Sequence, residues 1–220
     1  MSYDIEELMR NKLEMDDTFE FGCDTCGKCC HRDELLLSGY DIYSISKHLN
    51  KTMEEIIKEN CFIYIGHDSK LPIVSVKPRV GDNSCRFLRK GKCTIHEIKP
   101  TTCALFPLGR IYDSRVKDYI YFKQDIGCGN KEKHTLKEWL ESINIEEIDR
   151  MSKPWGTALL DISLYLQGIK DKERLKYITN LIFIGLYLNY DTSKDYVEQL
   201  EKNISDLEQL LPKFKRTNKG

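Results

Sequence analysis

Four cysteines stand within eight residues in the stretch Phe21-Gly-Cys-Asp-Thr-Cys-Gly-Lys-Cys-Cys-His31. Two residues between cysteines is the spacing at which a short loop turns both sulfurs toward one metal ion. That spacing occurs twice in succession, Cys23 to Cys26 and Cys26 to Cys29, and Cys30 follows at once. Four more cysteines fall in a hairpin or beside prolines and glycines: Cys85 and Cys93 flank a hairpin tip, Cys103 lies between Pro100 and Pro107, and Cys128 sits between Gly127 and Gly129. The ninth, Cys61, continues the apolar stripe of Met53, Ile56 and Ile57 and reads as a small core hydrophobe. The candidate metal ligands are therefore Cys23, Cys26, Cys29, Cys30, Cys85, Cys93, Cys103 and Cys128. Four local and four scattered thiols suit two four-sulfur sites or one larger polynuclear site.

Neighbouring side chains leave the backbone in diverging directions, so Cys29 and Cys30 do not comfortably serve one tetrahedral ion. One is expected to join Cys23 and Cys26, and the other to reach a second site made with the later cysteines. Zinc favours two separated Cys-x2-Cys pairs, and the chain has no second pair. Two consecutive two-residue gaps plus a remote cysteine are closer to ligation of a four-iron, four-sulfur (4Fe-4S) cluster, with a structural zinc knot as the competing reading. His96, three residues after Cys93, and His31, beside Cys30, are weighed as ligands or as donors to a thiolate, against the plainer reading of surface histidines.

The elements that must position these residues follow from pattern. An amphipathic docking helix is expected within residues 1–15, from Ile5, Leu8, Met9 and Leu13. A short extended piece ends near Asp41 at a helix carrying Ile42, Ile45 and Leu49. Thr52 with Glu55 forms a capping box for the next helix. Strand character begins at Leu71, with Pro72–Lys77, a hairpin over 84–95 and a second hairpin over 109–122. Pro100 to Ala104 suits one helical turn. Beyond residue 134 the chain reads as helical: Thr135 with Glu138 caps one helix, residues 145–151 suggest another, and Ala158–Ile169 and Leu175–Leu188 are apolar almost all round. Val197, Leu200, Ile204, Leu207 and Leu211 make a heptad-like seam about two repeats long, which reads as a last helix laid on the core rather than a zipper. The fold class is α+β: a cysteine-rich metal-binding domain over residues 16–132, then a helical bundle over 133–212.

Composition narrows the function. With 34 basic against 35 acidic residues there is no electrostatic case for nucleic acid or an anionic membrane as main partner. The aromatics Tyr112, Tyr119, Tyr121 and Phe122 beside Arg110, Arg115 and Lys117 are explained by hairpin alternation, and nearby aspartates dilute the charge. The longest apolar run is too short for a membrane span of roughly twenty residues. The acidic first residues do not resemble a secretory signal, so a reducing cytoplasm is expected, where clustered thiols mean metal or redox chemistry. No phosphate-binding glycine loop, His-Glu-x-x-His or Gly-x-Ser-x-Gly occurs.

Taken together, Cys23-x2-Cys26-Gly-Lys-Cys29-Cys30, Cys85-Arg-Phe-Leu88, Gly91-Lys-Cys93-Thr-Ile-His96-Glu97, Lys99-Pro100-Thr-Thr-Cys103-Ala-Leu-Phe-Pro107 and Gly127-Cys128-Gly129 resemble the YkgJ-type cysteine-cluster proteins, a zinc- or iron-chelating family that includes flagellin lysine N-methylases. The resemblance covers roughly residues 20 to 130 and all eight proposed ligands in order. It implies metal binding and, as an alternative function, S-adenosylmethionine-dependent methylation of lysines on a flagellin-like protein substrate. Lys99 stands where the family often has arginine, Ala104 where a basic residue is common, and His96 where tyrosine is frequent. Lysine lacks the planar fork of arginine, so a contact to an anionic ligand would be weakened in this chain.

Overall fold

The computed structural model describes residues 10–24, 26–31, 34–124, 127–211 and 214. In chain order its elements are β1 (Lys12–Leu13), β2 (Thr18–Gly22), β3 (Leu36–Leu37), α1 (Gly39–Leu49), α2 (Met53–Asn60), β4 (Cys61–Ile65) and β5 (Pro72–Val76). Then come β6 (Leu88–Arg89), β7 (Lys92–Cys93), α3 (Thr101–Leu105), β8 (Leu108–Asp113), β9 (Asp118–Lys123) and β10 (Asn130–Thr135). The chain continues as α4 (Leu136–Ser142), α5 (Ile145–Gln167), α6 (Lys172–Tyr187) and α7 (Tyr196–Leu210). This is the α+β class, with small antiparallel sheets and a helical C-terminal region. Among the described residues no helix is long and apolar enough to cross a membrane.

The chain divides into two compact units, and the division is not linear. The first comprises residues 1–33 and 78–149, the second 34–77 and 150–220. The segment 34–77, expected within the cysteine-rich domain, thus belongs with the C-terminal helices. The reason is pairing: β5 sits between β3 and β4 in its own three-stranded sheet, and β5 also packs against α6. Most of the docking helix expected at residues 1–15 falls on residues 1–9, outside the described residues. Its end is not helical, since Lys12 and Leu13 pair as β1 with Phe122 and Tyr121 of β9.

In the first unit the sheets are β1-β9-β8, β10-β2 and the hairpin β6-β7. Its core is Phe19 and Phe21 from β2, Leu105 and Phe106 at the end of α3, Leu108, Tyr121, and Leu136 and Leu140 of α4. The alternation of β2, with Phe19 and Phe21 inward and Thr18 and Glu20 outward, is the period-two signature of a half-buried strand. In the second unit Ile42, Ile45, Ile56 and Val74 are sealed from solvent, as are Ile162, Ile182, Leu186 and Leu200. Leu200, Ile204, Leu207 and Leu211 are buried within this unit, so the heptad-like seam is a core face. Residues 145–151 and 158–167 are one helix, α5, running through Pro154. Proline removes one helical hydrogen bond, yet Met151, Trp155, Ala158 and Ile162 keep one buried face on both sides of it.

The two capping boxes expected from sequence form. Thr52 and Thr135 accept the N–H of Glu55 and Glu138, whose carboxylates accept the threonine N–H and hydroxyl. Those bonds hold the Glu138 carboxyl below its usual range. A depressed carboxyl adds stability above its unfolded pKa of about 4.3 and loses it as pH falls through the folded value. Thr135→Ala is expected to cost about 1 kcal/mol at pH 7 and to flatten the acid-side loss of stability, measured by urea unfolding at stepped pH. An unchanged acid slope in the variant would refute this.

Candidate metal centre

All nine cysteines lie among the described residues as thiols, and the eight proposed ligands all fall in the first unit. Cys61, at the start of β4, is buried in the second unit. Its assignment to a core holds, although it begins a strand rather than continuing the helix.

The first motif is shaped by backbone. Gly27, at φ 72°, opens a 3-10 turn over Lys28–Cys30, closed by the Cys30 N–H donating to Gly27 O at 2.9 Å. A left-handed residue ahead of so tight a turn is where glycine costs least. The two adjacent cysteines hydrogen-bond through their side chains, yet they have different further neighbours. Cys29 packs on the aromatic core, and so does Cys128. Cys30 instead offers its carbonyl to the N–H of Cys85 at 2.7 Å.

Each later cysteine is carried in by an element. Cys128 arrives on the loop before β10, whose partner is β2 with Asn130 opposite Gly22. Gly129, at φ 89°, lies against the Phe21 ring, where a Cβ would come within 2.5 Å. The Asn130 amide donates to Asp24 Oδ1 at 3.2 Å, tying that loop to the Cys23–Cys26 stretch. Cys85 forms an isolated antiparallel bridge with Pro78 and begins a turn in which Leu88 N–H donates to Cys85 O at 3.0 Å. In the β6-β7 hairpin, shorter than expected, Leu88 pairs with Cys93, and the Thr94 N–H and hydroxyl close it onto Phe87 O at 2.8 and 3.0 Å. Cys103 lies on α3, two residues before core residue Leu105.

The thiols feel one another. The Cys30 thiol is pushed far up, first by a hydrogen bond with Cys29, then by burial and by charge on Cys29, Cys85 and Cys93. Burial pushes Cys85 up, opposed by the N–H groups of Phe87 and Leu88 and by Arg79. Burial also raises Cys128, reinforced by Cys26, Cys29 and Cys23 and opposed by Lys28. Two neighbourhoods result. Cys128 is influenced by Cys23, Cys26 and Cys29, and Cys30 by Cys85 and Cys93, and the two are bridged by the Cys29–Cys30 side-chain hydrogen bond.

Thiols that raise one another's pKa cannot all ionise unaided, and a thiophilic cation among them removes that repulsion. The donor set, sulfur only and with backbone N–H groups aimed at Cys85, fits zinc or iron. Among the described residues, no three cysteine, histidine or carboxylate groups are already drawn together to the geometry of an ion site. His31 and His96 are both exposed, and His31 Nδ1 lies 3.1 Å from Gly27 O.

Residues 22–139, more than half of the chain, match the family model CxxCxxCC, described as a "putative zinc- or iron-chelating domain". The chain belongs to this family. It is a cysteine-cluster protein of the metal-chelating kind, and the matched region contains all eight ligand candidates. Comparison with curated proteins and with solved structures returns no match. Every sheet of the described residues is antiparallel and at most three-stranded. A parallel strand–helix–strand site for a methyl donor therefore has no counterpart among them. Sequence reasoning missed Arg79 and Lys28, the cations beside the two thiol neighbourhoods; neither has a motif signal beyond standing near a cysteine.

Proposed function

We propose that this protein holds zinc or an iron–sulfur cluster through Cys23, Cys26, Cys29, Cys30, Cys85, Cys93, Cys103 and Cys128, in two adjoining four-sulfur sets. Cys23, Cys26, Cys29 and Cys128 make the first set, and a 4Fe-4S cluster is the preferred occupant. Cys30, Cys85, Cys93 and Cys103 make the second, with Cys103 assigned as the remaining thiol of the unit. The observation that carries the reading is the different surroundings of the adjacent cysteines, Cys29 packed with Cys128 on the aromatic core and the Cys30 backbone bonded to that of Cys85. Zinc would supply a cross-link between remote segments, whereas an iron–sulfur cluster would add electron transfer. The thiol-rich site points to a reducing, cytoplasmic setting.

The test is anaerobic purification followed by iron, sulfide and zinc analysis per chain, with a visible spectrum. Sulfide-containing brown protein is expected; a colourless protein with stoichiometric zinc and no sulfide would replace iron–sulfur by zinc. Cys61→Ser is expected to leave metal content unchanged, because Cys61 is in the core of the other unit, and Cys26→Ser to lower it. Metal loss from the Cys61 variant would sink the ligand set.

A further inference from the structure

One polar atom beside the second thiol set has no partner. Arg79 Nε is buried and makes no hydrogen bond, and a buried donor left unsatisfied is destabilising. The rest of Arg79 is firmly placed. Its N–H donates to Ser84 O at 2.8 Å, its carbonyl accepts the Asn83 N–H at 3.2 Å, and its neighbour Pro78 bridges to Cys85. The guanidinium Nη2 donates to the Leu88 carbonyl, at the far end of the Cys85–Leu88 turn. Asp82, the nearby carboxylate, is occupied by the Ser84 N–H and hydroxyl at 3.0 and 2.8 Å. The guanidinium therefore reaches the end of the turn that begins at Cys85, and it keeps one buried N–H without a partner.

We propose that Arg79 is a positioning residue for the second thiol set: it clamps the Cys85–Leu88 turn through the Leu88 carbonyl and reserves its Nε–H for the Cys85 sulfur in the thiolate form. This rests on the metal-binding reading above. Thiolate is the form that a metal requires, and it is a stronger acceptor than a thiol because the bond is then charge-assisted. Arginine suits the task because one planar group donates in two directions, which the ammonium of lysine cannot reproduce. Outer-sphere partners of metal ligands are typically worth 10–100-fold in metal affinity.

The experiment titrates reduced, metal-free full-length protein with cobalt(II) under nitrogen and reads the sulfur-to-cobalt charge-transfer bands. Arg79→Met is expected to fold with an unchanged far-ultraviolet dichroism, to bind at least one cobalt about 10-fold more weakly, and to move its charge-transfer band to lower energy. Loss of a donor to sulfur raises the thiolate's electron density, whereas a purely structural clamp would change affinity without moving the band. Arg79→Lys, which keeps the charge and the aliphatic stem, is expected to show the same band shift and covers the case in which the methionine variant does not fold. Wild-type affinity and band position in the lysine variant would overturn the proposal. If the unmodified protein shows no thiolate–cobalt band, the metal reading itself fails, and the two failures are thereby separated.

Discussion

Cys30→Ser is expected to be the most damaging single substitution in the first unit, lowering metal content and the unit's unfolding temperature together. The carbonyl of Cys30 already fixes the Cys85 N–H at 2.7 Å, and serine keeps that bond. Any loss on substitution therefore reports the sulfur alone. Cys29, burial and the neighbouring thiols push the Cys30 thiol up, and serine is close to it in size. On the proposed reading, in the metal-bound state it is one of a four-sulfur set. Structural zinc binding carries apparent free energies of about 10–16 kcal/mol, which become folding free energy when the site forms only in the folded chain. Losing one ligand of four is expected to remove several kcal/mol of that. At about 4–8 °C per kcal/mol for a domain of this size, the fall in unfolding temperature should be about 10 °C or more. The measurement is calorimetry of parent and variant, each with and without a chelator. Chelation should bring the parent down toward the variant and leave the variant little changed. A parent whose unfolding ignores the chelator would show that no metal contributes to its stability.

Much of the fold is written locally, and what is not was set by partners far along the chain. The capping threonines with their glutamates three residues on, the apolar stripes of α1 and α2, and the β8-β9 hairpin are all legible because the interacting groups are close in sequence. β10 is the opposite case. Asn-Lys-Glu-Lys-His-Thr has no alternation and little apolar content, and it is a strand because β2 lies beside it, over a hundred residues upstream. β4 is hidden differently. Cys-Phe-Ile-Tyr-Ile follows α2 without a turn residue, so the helical stripe reads through into it. The recruitment of 34–77 to the C-terminal helices is likewise a long-range choice, invisible to any window of a dozen residues.

The thiols were the most legible part of the site because cysteine carries its chemistry in its identity and the first four carry it in their spacing. What spacing could not supply was which thiols meet. Cys29 and Cys128 share an aromatic core, and the Cys30 carbonyl accepts the Cys85 N–H, contacts that no spacing in the sequence announces. Arg79 was out of reach for a related reason. An arginine in a Pro-Arg-Val-Gly-Asp-Asn turn is ordinary until its guanidinium is seen crossing to Leu88.

Arg110 illustrates how a surface-looking charge can be structural, and its removal is the second large effect expected. In sequence it stands among tyrosines as a candidate for stacking on nucleic acid. In the folded unit its side chain is only 9% exposed, donates to Asp149 Oδ1 at 2.7 Å, and lies 3.8 Å from the centre of the Tyr119 ring. The pair is part-buried, and losing the cation removes a charge-assisted hydrogen bond from the Asp149 carboxylate, which costs about 1.5–3 kcal/mol. Loss of the cation over Tyr119 adds about 0.5–2 kcal/mol. Against a total stability of about 5–15 kcal/mol, Arg110→Ala is expected to remove a substantial share of the first unit's stability. Asp149→Asn alone should cost less, because the guanidinium keeps the Tyr119 face. The double variant Arg110→Ala, Asp149→Asn should be more stable than Arg110→Ala, since no half-buried carboxylate has then lost the Arg110 cation. Urea unfolding in a Trp155→Phe background reads this directly, because Trp139 then reports the first unit alone. A coupling of about 1.5 kcal/mol or more between the two positions is expected. Strict additivity would mean that Arg110 contributes only through packing of its stem, and the ion pair would have to be discarded as a determinant of stability.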